Sequence, residues 1–529
     1  MGVVFIRQMH KVKLYDTTLR DGSQAEGISY SVMDKIRIAE ELDKMGIHYI
    51  EGGWPGSNPK DKEFFERIAL CDLKNSKIAA FSMTRRPGIQ ACDDSNIAAL
   101  LKSKAQVITI VGKTWDFHVT EVLKTTLHEN LEMIKDTVSF LLKKGFIVFY
   151  DAEHFFEAYQ ANAEYALKTL VAAQEAGAQA ICLCDTNGGS LPTQISCAIK
   201  EIKNKIKVEI GIHCHNDAGV AIANSLAAIE VGASIVQGTI NGYGERCGNA
   251  DLIPIIANLK LKLDCDCIPD AQLKQLTHLS HFVSEISNMR VKNEQPFVGD
   301  SAFAHKGGMH INAIMKNPLT YEHIDPTAVG NHRRILVSEL GGKTGILLRA
   351  KALNYDLSKT DPQTKKLLEL VQNLEHKGFQ FEAAEASFEI LMQKHLKKFK
   401  GFFQLEGFKV VIEKNQDKKI STEAIIKLKV KGVKEHAVAE GDGPVNALDN
   451  AIRKALKEFY PNLSKMHLSD FKVRVLDEKF GTAAKVRVLI QSQDQNDIWN
   501  TIGVHENIIE ASWQALVDSV EYKLLKDGQ

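Results

Sequence analysis

The feature that most constrains the fold of this 529-residue chain is a unit of strand and helix that recurs through its first half. From Val12 onward, a short apolar run typical of a buried strand is followed by a polar loop and a helix of 3.6-residue periodicity. Glycines that end these helices, such as Gly46, Gly145, Gly177 and Gly232, stand just before the next strand. The eight predicted strands are Val12–Asp16, Tyr49–Gly53, Ile78–Met83, Val107–Val111, Ile147–Asp151, Ala180–Cys184, Val208–Cys214 and Ile235–Thr239.

Eight strands that alternate with helices over about 250 residues predict an α/β fold, a closed (β/α)8 TIM barrel. A doubly wound open sheet is the alternative. It is less favoured because eight units follow in series and no G-x-G-x-x-G sequence follows the first strand. The intervening helices exclude a β-sandwich. In such barrels the loops after the carboxyl ends of the strands carry the chemistry, so site residues are expected there.

The rest of the chain predicts two further regions. Helical patterns with charged loops follow the barrel and are predicted to form helical linker subdomains. Apolar residues then alternate with period two in four segments, Lys409–Ile412, Ala424–Val430, Lys472–Leu476 and Lys485–Ile490, and two helices, Val445–Phe459 and Asn507–Leu525, interrupt them. Strands and then a helix, twice over, predict a C-terminal α+β domain with internal pseudo-symmetry. Because it lacks an obvious acid–base cluster, this domain is expected to bind a molecule instead of reacting with it. The predicted domains are 1–268, 269–396 and 397–529.

The overall composition excludes several classes of partner. The 66 basic and 66 acidic side chains balance, so no net field favours nucleic acid or an anionic membrane. No apolar run approaches the length of a membrane span. The segment Met1–Arg7 is too brief for a signal peptide ahead of the first strand. The nine cysteines are scattered without a CxxC pair, which is typical of reduced thiols, and we expect a cytoplasmic protein.

Two motifs at predicted strand ends indicate a metal site. His213 and His215 project to one side of the seventh strand, because successive side chains of a strand alternate between faces. Asp21 follows the first strand and can meet them, which gives mixed oxygen and nitrogen ligands with positions left open for a substrate. Two histidines alone would more often be a hydrogen-bonded pair. The glycine-bearing loop after the eighth strand favours the metal, since it brings the amide oxygen of Asn249 as a fourth ligand.

Five separated motifs, in this order, closely resemble one enzyme family: LYDTTLRDG, IEGGWPGSNPKD, HCHND, NGYGERCGNAD and AFAHKGGMHINA. The family is that of the 2-isopropylmalate, homocitrate and citramalate synthases, which condense acyl-CoA on a metal-dependent barrel. The resemblance runs essentially from end to end. In the tail, GDGPVNALDNAIRKAL and NIIEASWQAL resemble the effector-binding domain of the isopropylmalate and citramalate synthases, which implies an allosteric effector-binding role for residues 397–529. It implies a Claisen condensation of acetyl-CoA with a 2-oxo acid and hydrolysis of the thioester. It also implies a divalent metal, Mn²⁺ or Mg²⁺ in turnover, and histidine ligation admits Zn²⁺ as well.

The resemblance also implies roles for side chains in the barrel. Arg20 would stabilise the charge that develops on the substrate carbonyl, although an arginine beside an aspartate is commonly only an ion pair. Gln24 and Thr186 would hold the carboxylate of the 2-oxo acid. Glu153, at the end of the fifth strand, would act at the methyl group of acetyl-CoA, and a solvated loop carboxylate is the alternative. Lyases with this barrel carry a cysteine after the glycines of the eighth-strand loop. Glu245 stands there instead, which favours a synthase.

Two more implied residues lie beyond the barrel. His310 and Tyr321 would be carried over the active site of a partner subunit, where His310 would activate water or shuttle a proton. A crossed homodimer is therefore expected, and a purely structural histidine is the alternative. For His305 and His323 the structural role is the preferred one.

The identity of the 2-oxo acid is predicted from the residues expected to line the pocket. The bulky Trp54 and the segments around it and around Glu153 resemble the subgroup of the family that uses pyruvate. Asp151 departs from this pattern, because a larger residue is expected two places before Glu153. One methylene changes reactivity only about 10–200-fold, so related acids should react weakly. Pyruvate is the predicted substrate, and 2-oxoisovalerate, which serves leucine biosynthesis, is the alternative. For an enzyme that uses pyruvate, the resemblance implies isoleucine as the effector.

Two hypotheses from other classes stay open at this point. A histidine pair with a carboxylate is also the facial triad of non-haem iron oxygenases, but their usual double-stranded β-helix conflicts with the βα repeat. Oxygen consumption with 2-oxoglutarate would identify such an enzyme. The chain could also be a non-catalytic metabolite sensor whose tail binds an amino acid. The chemical competence of every candidate catalytic position argues against that hypothesis.

Overall fold

The structure is a computed structural model. It describes residues 10–336, 342–352, 355, 357–358, 361–396, 399, 401–414, 420–476, 481 and 483–528. The chain divides into two compact units, the first made of Met1–Phe303 and Ile324–Arg333, the second of Ala304–His323 and Arg334–Gln529. Among the described residues, no helix combines the length and the apolar character needed to cross a bilayer.

The predicted closed barrel is confirmed in the first unit, where eight parallel strands pair in chain order and β8 pairs back onto β1. The strands are β1 Lys13–Asp16, β2 Tyr49–Gly53, β3 Lys77–Met83, β4 Val107–Lys113, β5 Ile147–Glu153, β6 Ala180–Asp185, β7 Glu209–Cys214 and β8 Ile235–Gly238. Their ends differ from the predicted ones by at most two residues. The largest differences are at β4 and β5, which continue until Lys113 lies beside Glu153 in the ladder.

Helices cover the barrel and connect its strands. They are α1 Val32–Met45, α2 Pro59–Ile68, α3 Ser95–Lys102, α4 Asp116–Glu121, α5 Leu127–Lys143, α6 Phe155–Glu175, α7 Pro192–Ile202, α8 Ala221–Val231, α9 Leu252–Leu261, α10 Asp270–Leu273 and α11 Leu276–Ile286. Local chemistry sets several of their ends. Ser31 and Asp34 form a capping box at the start of α1, and Gly46 ends that helix in the left-handed conformation. Gly232 ends α8 in the same way.

The interior of the barrel is layered along the strands. Its apolar layer consists of Tyr15, Tyr49, Ala79, Val107, Phe149, Ala180 and Ile235. Two residues further along β2, β4, β5 and β8, towards the carboxyl ends, stand the buried polar side chains of Glu51, Thr109, Asp151 and Gln237. Because alternate residues of a strand face the same side, this second layer also points into the barrel and underlies its carboxyl-end loops.

The second unit begins with a short parallel pair, β9 Ala304–His305 and β10 Arg334–Ile335, with α12 Gly308–Lys316 between them in sequence. Three helices follow: α13 Gly342–Ala352, α14 Pro362–His376 and α15 Glu385–His395. Then come β11 Phe403–Lys414, β12 Ile420–Val430, β13 Val433–Gly441, α16 Pro444–Leu456, β14 His467–Val475, β15 Val486–Gln493, β16 Ile498–His505 and α17 Ile508–Lys526. The predicted linker helices and the α+β repeat are therefore both present.

One correction concerns the strands of this repeat. Each half holds a three-stranded antiparallel sheet, so the prediction missed β13 and β16. Both are edge strands. Along β13 only Ala437 is buried, so the strand needs little apolar alternation. In β16 the buried Thr501 breaks the pattern, and its hydroxyl donates to the backbone carbonyl of Ala515 in α17.

Candidate active site

Three side chains from opposite ends of the barrel sequence meet at the carboxyl ends of its strands. Asp21 lies in the turn after β1, His213 near the end of β7, and His215 just beyond it. The Asp21 Oδ2 atom is 3.3 Å from Nε2 of His213 and 3.9 Å from Nε2 of His215. All three residues are buried, and their ligand atoms lie within 4.8 Å of one another. The predicted carboxylate–bis-imidazole cluster is thus present in the fold.

The charges in this cluster suit a cation. Burial raises the pKa of Asp21, but Arg20 and His213 lower it more, so the pKa of this carboxyl lies well below its ordinary value. Burial, and then the neighbouring His213, lowers the pKa of His215 to about 4. At neutral pH Asp21 is therefore charged and His215 neutral, which are the protonation states that metal ligation requires. Burial lowers the pKa of the His213 imidazole, but the neighbouring Asp21 carboxylate outweighs burial and raises it.

The contacts of Asn249 indicate whether the cluster fits a metal ion. It forms an isolated antiparallel bridge with His215 and is buried. Its Nδ2 atom donates to the carbonyl of Tyr243 at 3.1 Å, whereas its Oδ1 atom has no hydrogen-bond partner among the described residues. An unsatisfied buried acceptor is costly unless something completes it. One carboxylate, two imidazoles and this amide oxygen form a donor set suited to a divalent cation.

Arg20 is fixed beside the cluster by contacts on three sides. Its Nη1 atom lies 3.6 Å from Asp21 Oδ2, and its Nε atom donates to Glu51 Oε1 at 2.5 Å. Its guanidinium stacks over Phe81 at 4.0 Å. Glu51 is itself held by the hydroxyl of Tyr15, which donates to Oε2 at 2.7 Å. The guanidinium of Arg20 is therefore held in place before any substrate arrives.

Gln24 and Thr186 occupy different parts of the same face. Gln24 ends a short 3₁₀ helix and, with Arg20 and Trp54, lines a cavity of about 390 Å³. Thr186 follows β6, and its hydroxyl accepts a hydrogen bond from the backbone N–H of His154 at 2.9 Å. The loops after β5 and β6 are thereby joined next to Glu153.

Glu153 has a charged neighbour that sequence reasoning missed. It ends β5 and forms an ion pair with Lys113 at the end of β4. Both side chains are largely buried, which makes the pair a fixed part of the site. Two other partners were missed as well, Glu51 behind Arg20 and Gln237 behind His213. The available signal was a polar residue at an inward-facing position of a barrel strand.

His310 and Tyr321 belong to the second unit. Their rings stack with centroids 4.0 Å apart, and both side chains are exposed. His305 differs, because its Nε2 atom lies 3.1 Å from the buried Glu322 carboxylate.

Fold and site together define the class: a (β/α)8 barrel with a carboxylate–imidazole centre at the carboxyl ends of its strands, followed by an α+β domain. Three family models match the chain. They are HMGL-like over residues 11–283, homocitrate synthase post-HMGL domain-like over 297–378, and LeuA allosteric (dimerisation) domain over 382–524.

Curated relatives match along the whole chain. An (R)-citramalate synthase of Geobacter sulfurreducens is 54% identical and one of Aquifex aeolicus 52%, each over 98% of this chain and 99% of the relative. A 2-isopropylmalate synthase of Methanocaldococcus jannaschii is 30% identical over 98% of this chain and 95% of its own. The chain belongs to the HMGL-like family, in the group formed by its (R)-citramalate synthase relatives.

Proposed function

We propose that the chain condenses acetyl-CoA with pyruvate to give (R)-citramalate and CoA. The observation that carries the proposal is the Arg20 guanidinium, immobilised 3.6 Å from a carboxylate of the candidate metal centre. Such a cation is what a 2-oxo acid needs when its carbonyl oxygen gains charge during carbon–carbon bond formation. The identity to the two (R)-citramalate synthases exceeds that to the 2-isopropylmalate synthase, which supports pyruvate over 2-oxoisovalerate.

Asp21, His213, His215 and Asn249 would hold a divalent cation, Mn²⁺ or Mg²⁺ in turnover with Zn²⁺ admitted. When bound, it supplies Lewis-acid polarisation of the substrate carbonyl and a fixed point for the oxo acid. Arg20 donates hydrogen bonds to the oxygen that becomes an alkoxide. Because Glu51 and Phe81 already hold the guanidinium, no reorganisation is needed when the charge appears.

Glu153 would remove the proton from the methyl group of acetyl-CoA. The electron pair left on that carbon then attacks the carbonyl carbon of pyruvate, and water cleaves the thioester. Lys113, ion-paired with Glu153, brings a positive charge to the place where the enolate forms. Gln24 and Thr186 would hold the carboxylate of pyruvate during the attack.

The size of the pocket would be limited by Trp54. Its ring meets the edge of Phe81 at 6.0 Å, and its backbone N–H donates to the Asp61 carboxylate at 2.9 Å. Asp61 is paired with the buried Lys35 at 2.5 Å, so the turn that carries Trp54 is rigidly held. A large ring in a fixed turn leaves little room for the two extra methyl groups of 2-oxoisovalerate.

Side-by-side kinetics test the proposed substrate. CoA release is measured with a thiol reagent for pyruvate and for 2-oxoisovalerate, and the product is identified by chiral chromatography. We expect kcat/KM for pyruvate to be higher by about 10–200-fold or more. Equal values, or a preference for 2-oxoisovalerate, would refute the choice of pyruvate. Release of CoA without either acid would refute the condensation.

We propose further that the enzyme works as a crossed homodimer in the cytoplasm. Met309 and Leu319, beside the His310–Tyr321 stack, are 81% and 78% exposed, and large apolar side chains at this exposure are typical of a contact surface. A partner's barrel would cover them and receive His310 as the group that activates water. The nine free cysteines are compatible with a reducing compartment.

Isoleucine is the proposed effector, bound by the C-terminal domain. The match to a LeuA allosteric (dimerisation) domain supports a regulatory role for residues 382–524. An enzyme that starts a route from pyruvate to isoleucine would be inhibited by that end product.

A further inference from the structure

A chain of three buried polar side chains runs from His213 into the interior of the barrel. The Nδ1 atom of His213 lies 3.0 Å from Oε1 of Gln237, and Nε2 of Gln237 donates to Oδ1 of Asp151 at 3.0 Å. The three residues stand on β7, β8 and β5, and each is at most 5% exposed. Water therefore does not compete for these contacts.

For a neutral His213, the order of donors and acceptors in this series of hydrogen bonds has one solution. A charged carboxylate only accepts, so the amide nitrogen of Gln237 must face Asp151. The amide oxygen then faces His213 and can only accept, so the hydrogen of the imidazole must sit on Nδ1. When the ring is neutral, as ligation requires, the lone pair of His213 lies on Nε2, the atom that is 3.3 Å from Asp21 Oδ2.

Without Asp151, neither of the other two residues in this series of hydrogen bonds would hold the amide of Gln237 in that orientation. The amide could turn over and donate to Nδ1, which would place the imidazole hydrogen on Nε2. That hydrogen would bond to Asp21 and occupy the position needed by a cation. The other buried carboxylate of the polar layer cannot substitute, because Glu51 is engaged by Arg20 and Tyr15.

We propose that Asp151 and Gln237 are positioning residues that set the tautomer of His213, so that its Nε2 atom is available to a divalent cation. The inference rests on the metal centre of the proposed function. It assigns a role to Asp151, the position at which the pocket departs from the expected larger residue. Outer partners of ligating histidines commonly change metal affinity by 10–100-fold, which sets the scale of the effect.

Metal binding gives a test that does not depend on turnover. The Mn²⁺ dissociation constant of the full-length, chelator-stripped protein is measured by calorimetry at mildly alkaline pH, because burial raises the pKa of Asp151 to about 7. We expect Gln237→Leu and Asp151→Leu to weaken binding about 10–100-fold. Asp151→Asn keeps an acceptor for Gln237 and should lie close to the wild type. Cys182→Ala is the matched control, because Cys182 is buried beside Asp151 on the adjacent strand.

A charge swap distinguishes an effect on the tautomer of His213 from a general loosening of the core. The double variant Gln237→Glu with Asp151→Asn moves the carboxylate one step closer to His213, and the asparagine can donate to it. This variant should recover the affinity that Asp151→Leu loses. In the Zn²⁺-loaded wild type, ¹⁵N-histidine NMR should show a protected Nδ1–H on His213, assigned by its absence in His213→Asn. That signal should be lost in Gln237→Leu.

The outcomes are distinguishable. Wild-type protein that binds no divalent metal would refute the metal centre itself. If Gln237→Leu keeps the wild-type affinity for Mn²⁺ and the Nδ1–H signal of His213, the positioning role of Asp151 and Gln237 is refuted while the metal centre stands. Equal weakening by Cys182→Ala, or failure of the charge swap to recover affinity, would also refute that positioning role.

Discussion

The replacement Arg20→Lys is the sharpest test of the proposed chemistry. Lysine keeps the positive charge but lacks the planar fork of five donors. In the structure the guanidinium donates to Glu51 at 2.5 Å, stacks over Phe81 at 4.0 Å and still reaches within 3.6 Å of Asp21. A single ammonium cannot satisfy these geometries together and would be drawn to Glu51. The developing alkoxide would then lose its donor.

The loss of one such donor costs about 10²–10³-fold in kcat, or roughly 2.7–4 kcal/mol of transition-state stabilisation. We expect kcat to fall by this factor with a smaller change in KM for pyruvate, measured by CoA release at saturating acetyl-CoA. Arg85→Lys is the control, because Arg85 is also buried in the barrel unit and is ion-paired with Glu129 and Asp136 at 2.8 Å. A rise in KM alone for Arg20→Lys would refute the catalytic role and make Arg20 a binding residue.

Three further predictions address the metal, the assembly and the effector. His213→Ala should lose metal affinity and activity together with the fold intact by circular dichroism, and near-normal turnover after chelator treatment would contradict the site. Inactive Asp21→Ala and His310→Ala proteins, once mixed and shown to exchange subunits, should regain activity, because one hybrid site then has both residues. No recovery would mean that sites are built within single chains or that His310 is not catalytic. Calorimetry should detect isoleucine binding to the full-length protein and weaker leucine binding, and the reverse order would favour 2-oxoisovalerate as the substrate.

The barrel could be predicted from the sequence because its strands are buried on both sides. Continuous apolar runs such as Ala180–Cys184, separated by amphipathic helices, are typical of parallel strands covered on both faces. The two missed strands, β13 and β16, lack this signal. In β13 only Ala437 is buried, and in β16 the buried hydroxyl of Thr501 interrupts the apolar pattern. The pattern in each is therefore too weak to distinguish a strand from a loop.

Part of the candidate site could be predicted from the sequence for the same reason. Asp21, His213 and His215 stand at strand ends, and the barrel rule alone brings strand ends to one face. The partners Glu51, Lys113 and Gln237 depend instead on how far neighbouring strands are staggered around the closed barrel. Sequence periodicity carries no information on that stagger, because it is a property of the pairing between strands.

The stagger of neighbouring strands also explains why the reactive side chains of this site are held rigidly. Arg20 and His213, near the carboxyl ends of the barrel strands, each have a buried partner one layer below: Glu51 for Arg20 and Gln237 for His213. A buried polar group is stable only when it is hydrogen-bonded, so each inner residue restricts its outer partner to one orientation. Substitutions in the inner layer should therefore affect metal affinity and kcat before they affect the fold.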